Sequence, residues 1–244
     1  MSRYFIEVSY KGTAYAGFQS QQNANTIQDE IEKALLIYFK VIFDLTGSSR
    51  TDAGVHALQN YFHFDFEFPV IPDWEKIVYH LNAILPPDIV VNRIFPVKKD
   101  AHSRFDAAYR TYEYTLYMQK DPFLSDRAFF YPYKLNMDLL NRAAMIIKHE
   151  KNFESFSKRN TQVKTFICTV QESEWFTENG IIKYRVSANR FLRGMVRGLV
   201  GTMLKVGREK TSMEAFINII ESHDPSLVDF SVPPQGLKLM QVTY

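Results

Sequence analysis

The 244-residue sequence predicts an α+β protein, because strand and helix patterns follow one another in the order strand, helix, strand, strand, helix, strand, and then do so a second time. Three observations carry this. Residues 58–68 alternate strictly, with Phe62, Phe64, Phe66 and Phe68 on one side and Tyr61, His63, Asp65 and Glu67 on the other, the period of a strand with one buried face. Residues 27–38 and 74–85 instead repeat their apolar side chains at helical spacing. Asn179-Gly180, between two β-rich runs, is a hairpin turn signal. The βαββαβ order is that of a ferredoxin-like unit, so the sequence predicts two such units with antiparallel sheets, spanning 1–105 and 106–244, with a cleft between them.

Taken in order, residues 3–10 are β-branched and aromatic and predict a strand ended by Lys11-Gly12-Thr13. Thr26, followed three residues later by Asp29, caps a helix over 27–40 whose buried stripe is Ile27, Ile31, Ala34, Leu35 and Tyr38. A short strand at 41–45 is expected to lead into a polar loop, and the half-buried strand from Leu58 follows it. Asp73 opens the next helix and Pro86-Pro87 stops it, after which Ile89–Val97 forms a strand. The second half predicts a strand over 108–118, a helix over 136–148, strands over 165–176 and 181–188, a helix over 189–206, another from Ser212, and a last strand over 237–244.

Bulk composition narrows the function. With 46% hydrophobic and 15% aromatic residues the chain has ample material for a core, and a net charge of +2 means that any polyanion site is local. The single Cys168 excludes an intramolecular disulfide and a Cys-based zinc site, which suits a reducing compartment. The N-terminus lacks an apolar signal core, and Ala34–Phe43 is too short to span a bilayer, so a cytoplasmic protein without a membrane span is expected. No histidine pair has metal spacing, and neither a nucleophile elbow nor a phosphate-binding Gly loop occurs, so no metal is expected.

The chemistry concentrates in the loop Gly47-Ser48-Ser49-Arg50-Thr51-Asp52-Ala53-Gly54-Val55-His56-Ala57. Small residues around Asp52 let a substrate approach the backbone, and Arg50 is expected to hold the Asp52 carboxylate ionised, as suits a nucleophile. Arg110, Tyr112 and Tyr114 share one face of a strand, where a ring beside a cation can stack on a base and hold its phosphate. Between 181 and 210 stand Lys183, Arg185, Arg190, Arg193, Arg197, Lys205, Arg208 and Lys210 against the single acid Glu209. On a helix over 189–206, Arg190, Arg193 and Arg197 would share a face and call for an anionic partner, while Gly194, Gly198 and Gly201 imply close packing.

The string Arg50–Ala57 resembles the catalytic motif of the tRNA pseudouridine synthase A family. Three further segments extend the resemblance over most of the chain: Ala101-His102-Ser103-Arg104-Phe105-Asp106-Ala107 running into Thr111–Tyr114, Ala188–Arg197 with Val200-Gly201, and Pro233–Leu239. The resemblance implies isomerisation of uridine to pseudouridine at positions 38, 39 and 40 of the tRNA anticodon stem-loop, by a homodimer that needs neither cofactor nor metal. It makes Asp52 the nucleophile, Tyr112 the ring that stacks on the target base, Arg197 the partner of Asp52, Leu237 the side chain packed under the uracil, and Arg50 the group that displaces or replaces the flipped nucleotide. Arg190 and Arg193 are expected to bind RNA. Ser48, Ser49 and Arg190 depart from the family pattern, which bears on loop flexibility and local RNA contacts.

Two other readings compete. A non-catalytic RNA-binding module would carry an aromatic RNA-binding strand motif that this sequence lacks, and would leave Asp52 repelling phosphate. A glycosidase-like hydrolase needs two carboxylates, and the loop offers one, unless Asp65 or Asp106 lies close to it.

Overall fold

The computed structural model describes residues 1–159 and 163–244. In chain order its longer elements are β1 (Ser2–Tyr10), α1 (Ile27–Phe39), β2 (Thr46–Gly47), β3 (His56–Phe66), α2 (Trp74–Ile84) and β4 (Ile89–Val97). There follow β5 (Tyr109–Tyr117), β6 (Phe129–Phe130), α3 (Met137–His149), β7 (Val170–Glu178) and β8 (Ile181–Ala188). Last come α4 (Met195–Gly207), α5 (Met213–Glu221) and β9 (Leu237–Thr243). The chain is a mixed α+β protein, and it forms two compact units, Met1–Ala108 with Lys238–Tyr244, and Tyr109–Leu237.

In the first unit β1 pairs antiparallel with both β3 and β4, and β2 pairs antiparallel with β3. The expected purely antiparallel sheet is interrupted by β9, which runs parallel to β3 at His56↔Lys238 and Ala57↔Leu239. Thr26 and Asp73 each accept a hydrogen bond from the backbone three residues on, fixing where α1 and α2 begin. The helices bury Ile27, Ile31, Leu35, Ile77 and Leu81. Phe18 stacks on Phe62 at 4.4 Å, and Phe43 meets Phe64 edge-on at 5.2 Å. Each such ring contributes roughly 1.5–3 kcal/mol by leaving water.

Two expectations for this unit are corrected. The strand at 41–45 does not form: Lys40 turns left-handed at φ 59°, Ile42 is 84% exposed, and only Thr46–Gly47 reaches a ladder. Strand β3 is not half-buried, because Asn60, Tyr61, Phe62, His63 and Phe64 are all buried. Its second face is covered: Phe5 and Tyr61 lie against Tyr244, each with ring centroids 5.3 Å apart, and His63 lies against His102 at 4.6 Å.

In the second unit β8 lies between β5 and β7, antiparallel to both, and β6 adds a two-residue parallel pairing to β5. Asn179 and Gly180 both have positive φ, as a tight hairpin requires. Strand β7 starts at Val170 rather than 165, because Phe166 and Cys168 pair instead with Phe153 and Lys151. The helix expected over 189–206 starts at Met195, since Gly194 caps it at φ 75°, a conformation costly for residues with a Cβ. Arg190 and Arg193 are therefore not on the helix with Arg197. Gly201 has the close-packing role its spacing implied: a Cβ there would lie 2.2 Å from the Asp229 carbonyl oxygen. No described helix is long and apolar enough to cross a membrane.

Candidate active site

The loop carrying Asp52 is fixed by buried polar side chains. Thr51 is buried, and its hydroxyl lies 2.8 Å from the Tyr10 hydroxyl. Asn60, wholly buried on β3, donates from Nδ2 to the Tyr10 hydroxyl at 3.1 Å and to the Ser49 carbonyl at 2.9 Å. Its Oδ1 accepts from the Ser48 hydroxyl at 3.0 Å and from the Tyr61 N–H at 2.9 Å. Ser48 and Ser49 are thus parts of the lock. His56 is buried and accepts from the Gly12 N–H through Nδ1 at 3.0 Å, while the Gly12 Cα packs where any Cβ would overlap the Val55 carbonyl. The Asp52 carbonyl accepts from Val55 N–H at 3.1 Å, closing a turn with Gly54 at φ 79°.

Asp52 itself is half-buried at the head of this turn, and Arg50 is exposed. Among the described residues no ion pair joins them, so the Arg50–Asp52 pairing that proximity in sequence suggested does not form. The turn redirects the chain immediately after the pinned Thr51. Sequence reasoning singled out Asp52 and passed over Tyr10, Asn60 and His56 as its scaffold. Asn60 left a trace, as the one amide on the phenylalanine side of an otherwise apolar alternation.

In the second unit Tyr112 is buried and meets Phe191 edge-on, with ring centroids 5.0 Å apart. Arg110 donates to the Asn189 carbonyl at 3.1 Å. Tyr114 is fully buried, donates its hydroxyl to the Pro233 carbonyl at 2.7 Å, and packs its ring on Gly236. Burial drives its phenol far above the ordinary tyrosine range, with the nearby Arg197 charge opposing. Arg197, in the first turn of α4, donates from Nε to the Val232 carbonyl at 2.8 Å and from a terminal nitrogen to the Phe230 carbonyl at 3.3 Å. Leu237, buried, directly follows the short helix Pro234–Gly236. Arg197, Tyr114 and Leu237 are therefore organised around one segment, residues 230–237.

The basic band is weaker than the sequence count implied, because its neutralising acids come from outside it. Lys183 pairs with Glu113 at 3.2 Å and Glu178 at 2.6 Å, and Arg185 pairs with Glu113 at 3.2 Å. Lys205 pairs with Asp229 at 3.2 Å, and Arg208 sits 3.7 Å from the centre of the Tyr133 ring. Arg190 is half-buried beside Cys168, whose thiol is pushed up to about 11 by burial, against the pull of the Arg190 charge. Arg193 is exposed, and its carbonyl accepts from the Lys158 N–H at 3.0 Å. Among the described residues no group of three or more His, Cys, Asp or Glu is placed to hold a metal ion.

The first unit thus carries one carboxylate on a rigid polar loop, and the second an aromatic strand and a guanidinium fixed on backbone carbonyls. The family model for tRNA pseudouridine synthase matches residues 6–106 and 148–244, and the chain belongs to that family. It is 43% identical over all 244 residues to tRNA pseudouridine synthase A of Parabacteroides distasonis, covering 96% of that protein. It is 41% identical over its full length to the protein of the same name from Azobacteroides pseudotrichonymphae, covering 97% of it. Its identity to that of Staphylococcus aureus is 36% over 98% of this chain and 91% of the relative.

Proposed function

We propose that the chain isomerises uridine to pseudouridine at positions 38, 39 and 40 of the tRNA anticodon stem-loop, with Asp52 as nucleophile. The tRNA substrate and the isomerase class follow from family membership. The observation that carries the assignment of Asp52 is its place: a carboxylate left half-exposed at the head of a turn whose flanks, Thr51 and Val55, are buried and hydrogen-bonded. A group so held spends little freedom on reaching its reaction geometry.

The reaction conserves atoms. The bond from N1 to C1′ breaks, the base turns, C5 bonds to C1′, the C5 proton leaves, and N1 takes one up. Asp52 serves by attacking the ribose or the base, or by assisting the proton transfers. A base within a stem must first leave its stack, at a cost of a few kcal/mol. In this reading Tyr112 offsets that cost by stacking on the base, Leu237 packs under the uracil, and Arg197 is the partner of Asp52. Arg50 displaces or replaces the extruded nucleotide, and Arg190 and Arg193 hold RNA phosphates.

The same reading takes each unit as ferredoxin-like, the first supplying the catalytic Asp loop and the second the stacking Tyr and the arginines. The order β4-β1-β3 with β2 on β3 supports it for the first unit. The enzyme is read as a cytoplasmic homodimer without cofactor or metal. Carbodiimide modification and primer extension on unmodified tRNA treated with the protein test the positions. Stops at 38, 39 or 40 are expected, and stops only elsewhere would refute the anticodon assignment.

A further inference from the structure

The motif Ala101–Ala107 has no part in the chemistry above, yet its backbone is tightly fixed. His102 Nδ1 accepts from the N–H groups of Arg104 at 3.1 Å and Phe105 at 3.4 Å. The His102 backbone N–H donates to Asp106 Oδ2 at 2.7 Å, and the Asp106 backbone N–H returns to the His102 carbonyl at 3.1 Å. The turn is then tied to the body of the first unit. Ser103 is wholly buried, with its hydroxyl 2.8 Å from His63 Nδ1 and donating to the Thr46 carbonyl at 2.9 Å. Tyr244 donates to the Ser103 carbonyl at 2.6 Å, and Arg3 to the Ala101 carbonyl at 2.9 Å.

What this clamp presents is an aromatic ring in water. Phe105 is 74% exposed. One side of it rests on the His102 imidazole, with centroids 4.3 Å apart, and the Arg104 guanidinium stands 5.7 Å from its centre. Hydrophobic collapse does not explain a ring held outward on a rigid turn. The sequence neighbours Lys98, Lys99, Asp100, Arg104 and Asp106 are all exposed and charged, so along this segment Phe105 is the one exposed aromatic side chain. A protein interface needs about 800 Å² from each partner, with an apolar centre. A single flat ring beside a cation fits a different partner, a base with its phosphate.

We propose that Phe105 and Arg104 form a stacking platform for one unpaired nucleotide of the tRNA, other than the uridine being isomerised. The proposal rests on the tRNA reading above and adds to it a contact outside the reacting nucleotide. Because the turn is preorganised, stacking there costs little ordering on the protein side.

The test measures tRNA binding and steady-state turnover for Phe105→Ala, Phe105→Leu and Phe105→Trp. The expected results are a rise in Kd and KM of about tenfold for Phe105→Ala, a similar rise for Phe105→Leu, and near wild-type values for Phe105→Trp. A merely apolar contact would be restored by leucine, so recovery in Phe105→Leu overturns the proposal, as does an unchanged Kd in Phe105→Ala. A shift in elution volume on sizing, with tRNA affinity intact, assigns the ring to a protein contact and equally overturns it. Should the wild type bind tRNA and make no pseudouridine while Phe105→Ala still weakens binding, the platform stands and the proposed function falls.

Discussion

The loop around Asp52 and the segment around Arg197 are both fixed in place, by different means. The first is held through one buried polar side chain: Asn60 alone bonds the Ser48 and Tyr10 hydroxyls, the Ser49 carbonyl and the Tyr61 N–H. The second is held through backbone: Arg197 binds the carbonyls of Phe230 and Val232, Tyr114 binds that of Pro233, and Gly201 lets helix and segment touch. A polar lock concentrates its energy in a few residues, because each buried group deprived of its partner carries a full desolvation cost. A packed lock spreads it. One substitution should therefore cripple the first region, whereas the second should yield in smaller steps.

The sharpest way to break the contrast is Asn60→Leu. It leaves several buried polar groups without a partner, so a loss of about 3–4 kcal/mol in urea unfolding is expected, with turnover falling alongside. A loss below about 1 kcal/mol would mean that the network is not the lock. Acid offers a second handle. Burial, helped by the Arg3 and His102 charges, lowers His63 to about 4. The unfolded chain takes up a proton near pH 6.5 and the fold resists it, so stability is whole above that pH and declines by about 3 kcal/mol as pH falls towards 4. Thermal melts across that window should show the decline in the wild type and flatten it in His63→Gln.

In the second region, Gly201→Ala forces a methyl group against the Asp229 carbonyl, and a cost of about 2 kcal/mol is expected. A neutral result would show that the segment gives way easily. Back in the first region, Thr51→Val is the smallest step, about 1 kcal/mol, because Tyr10 loses one hydroxyl contact and keeps its bond from Asn60. A turnover loss much larger than that energy would place Thr51 closer to the chemistry than its buried position suggests.

The legible parts of this molecule are those that local chemistry decides. Asp73 before a helical stripe and Pro86-Pro87 after it delimit α2, and Asn179-Gly180 places the β7–β8 hairpin, each within a few residues of its signal. The alternation of β3 identified a strand and misjudged its second face, because what covers Tyr61 and His63 comes from Tyr244 and His102, far along the chain. The arginine spacing over 190–197 suggested a shared helical face, but Gly194 in a left-handed conformation delays the helix to Met195. The apparent basic band failed for the same reason as β3: Glu113, Glu172 and Glu178 reach it across strands, and a linear count cannot include them. Within the candidate site, Asp52 could be picked out from its small, polar surroundings. Its scaffold could not, because Tyr10 and Asn60 meet Thr51 and Ser48 only once β1, the loop and β3 are folded together.

The central claim is that Asp52 carries out uridine isomerisation, and tritium release from tRNA bearing C5-tritiated uridine tests it most directly, since the rearrangement leaves mass unchanged but expels the C5 hydrogen. The account predicts steady release by the wild type and a rate lower by at least about three orders of magnitude in Asp52→Asn, with tRNA binding and melting temperature retained. Comparable release by the two proteins would contradict the assignment of Asp52, and wild-type protein that binds tRNA without releasing tritium would contradict the reaction.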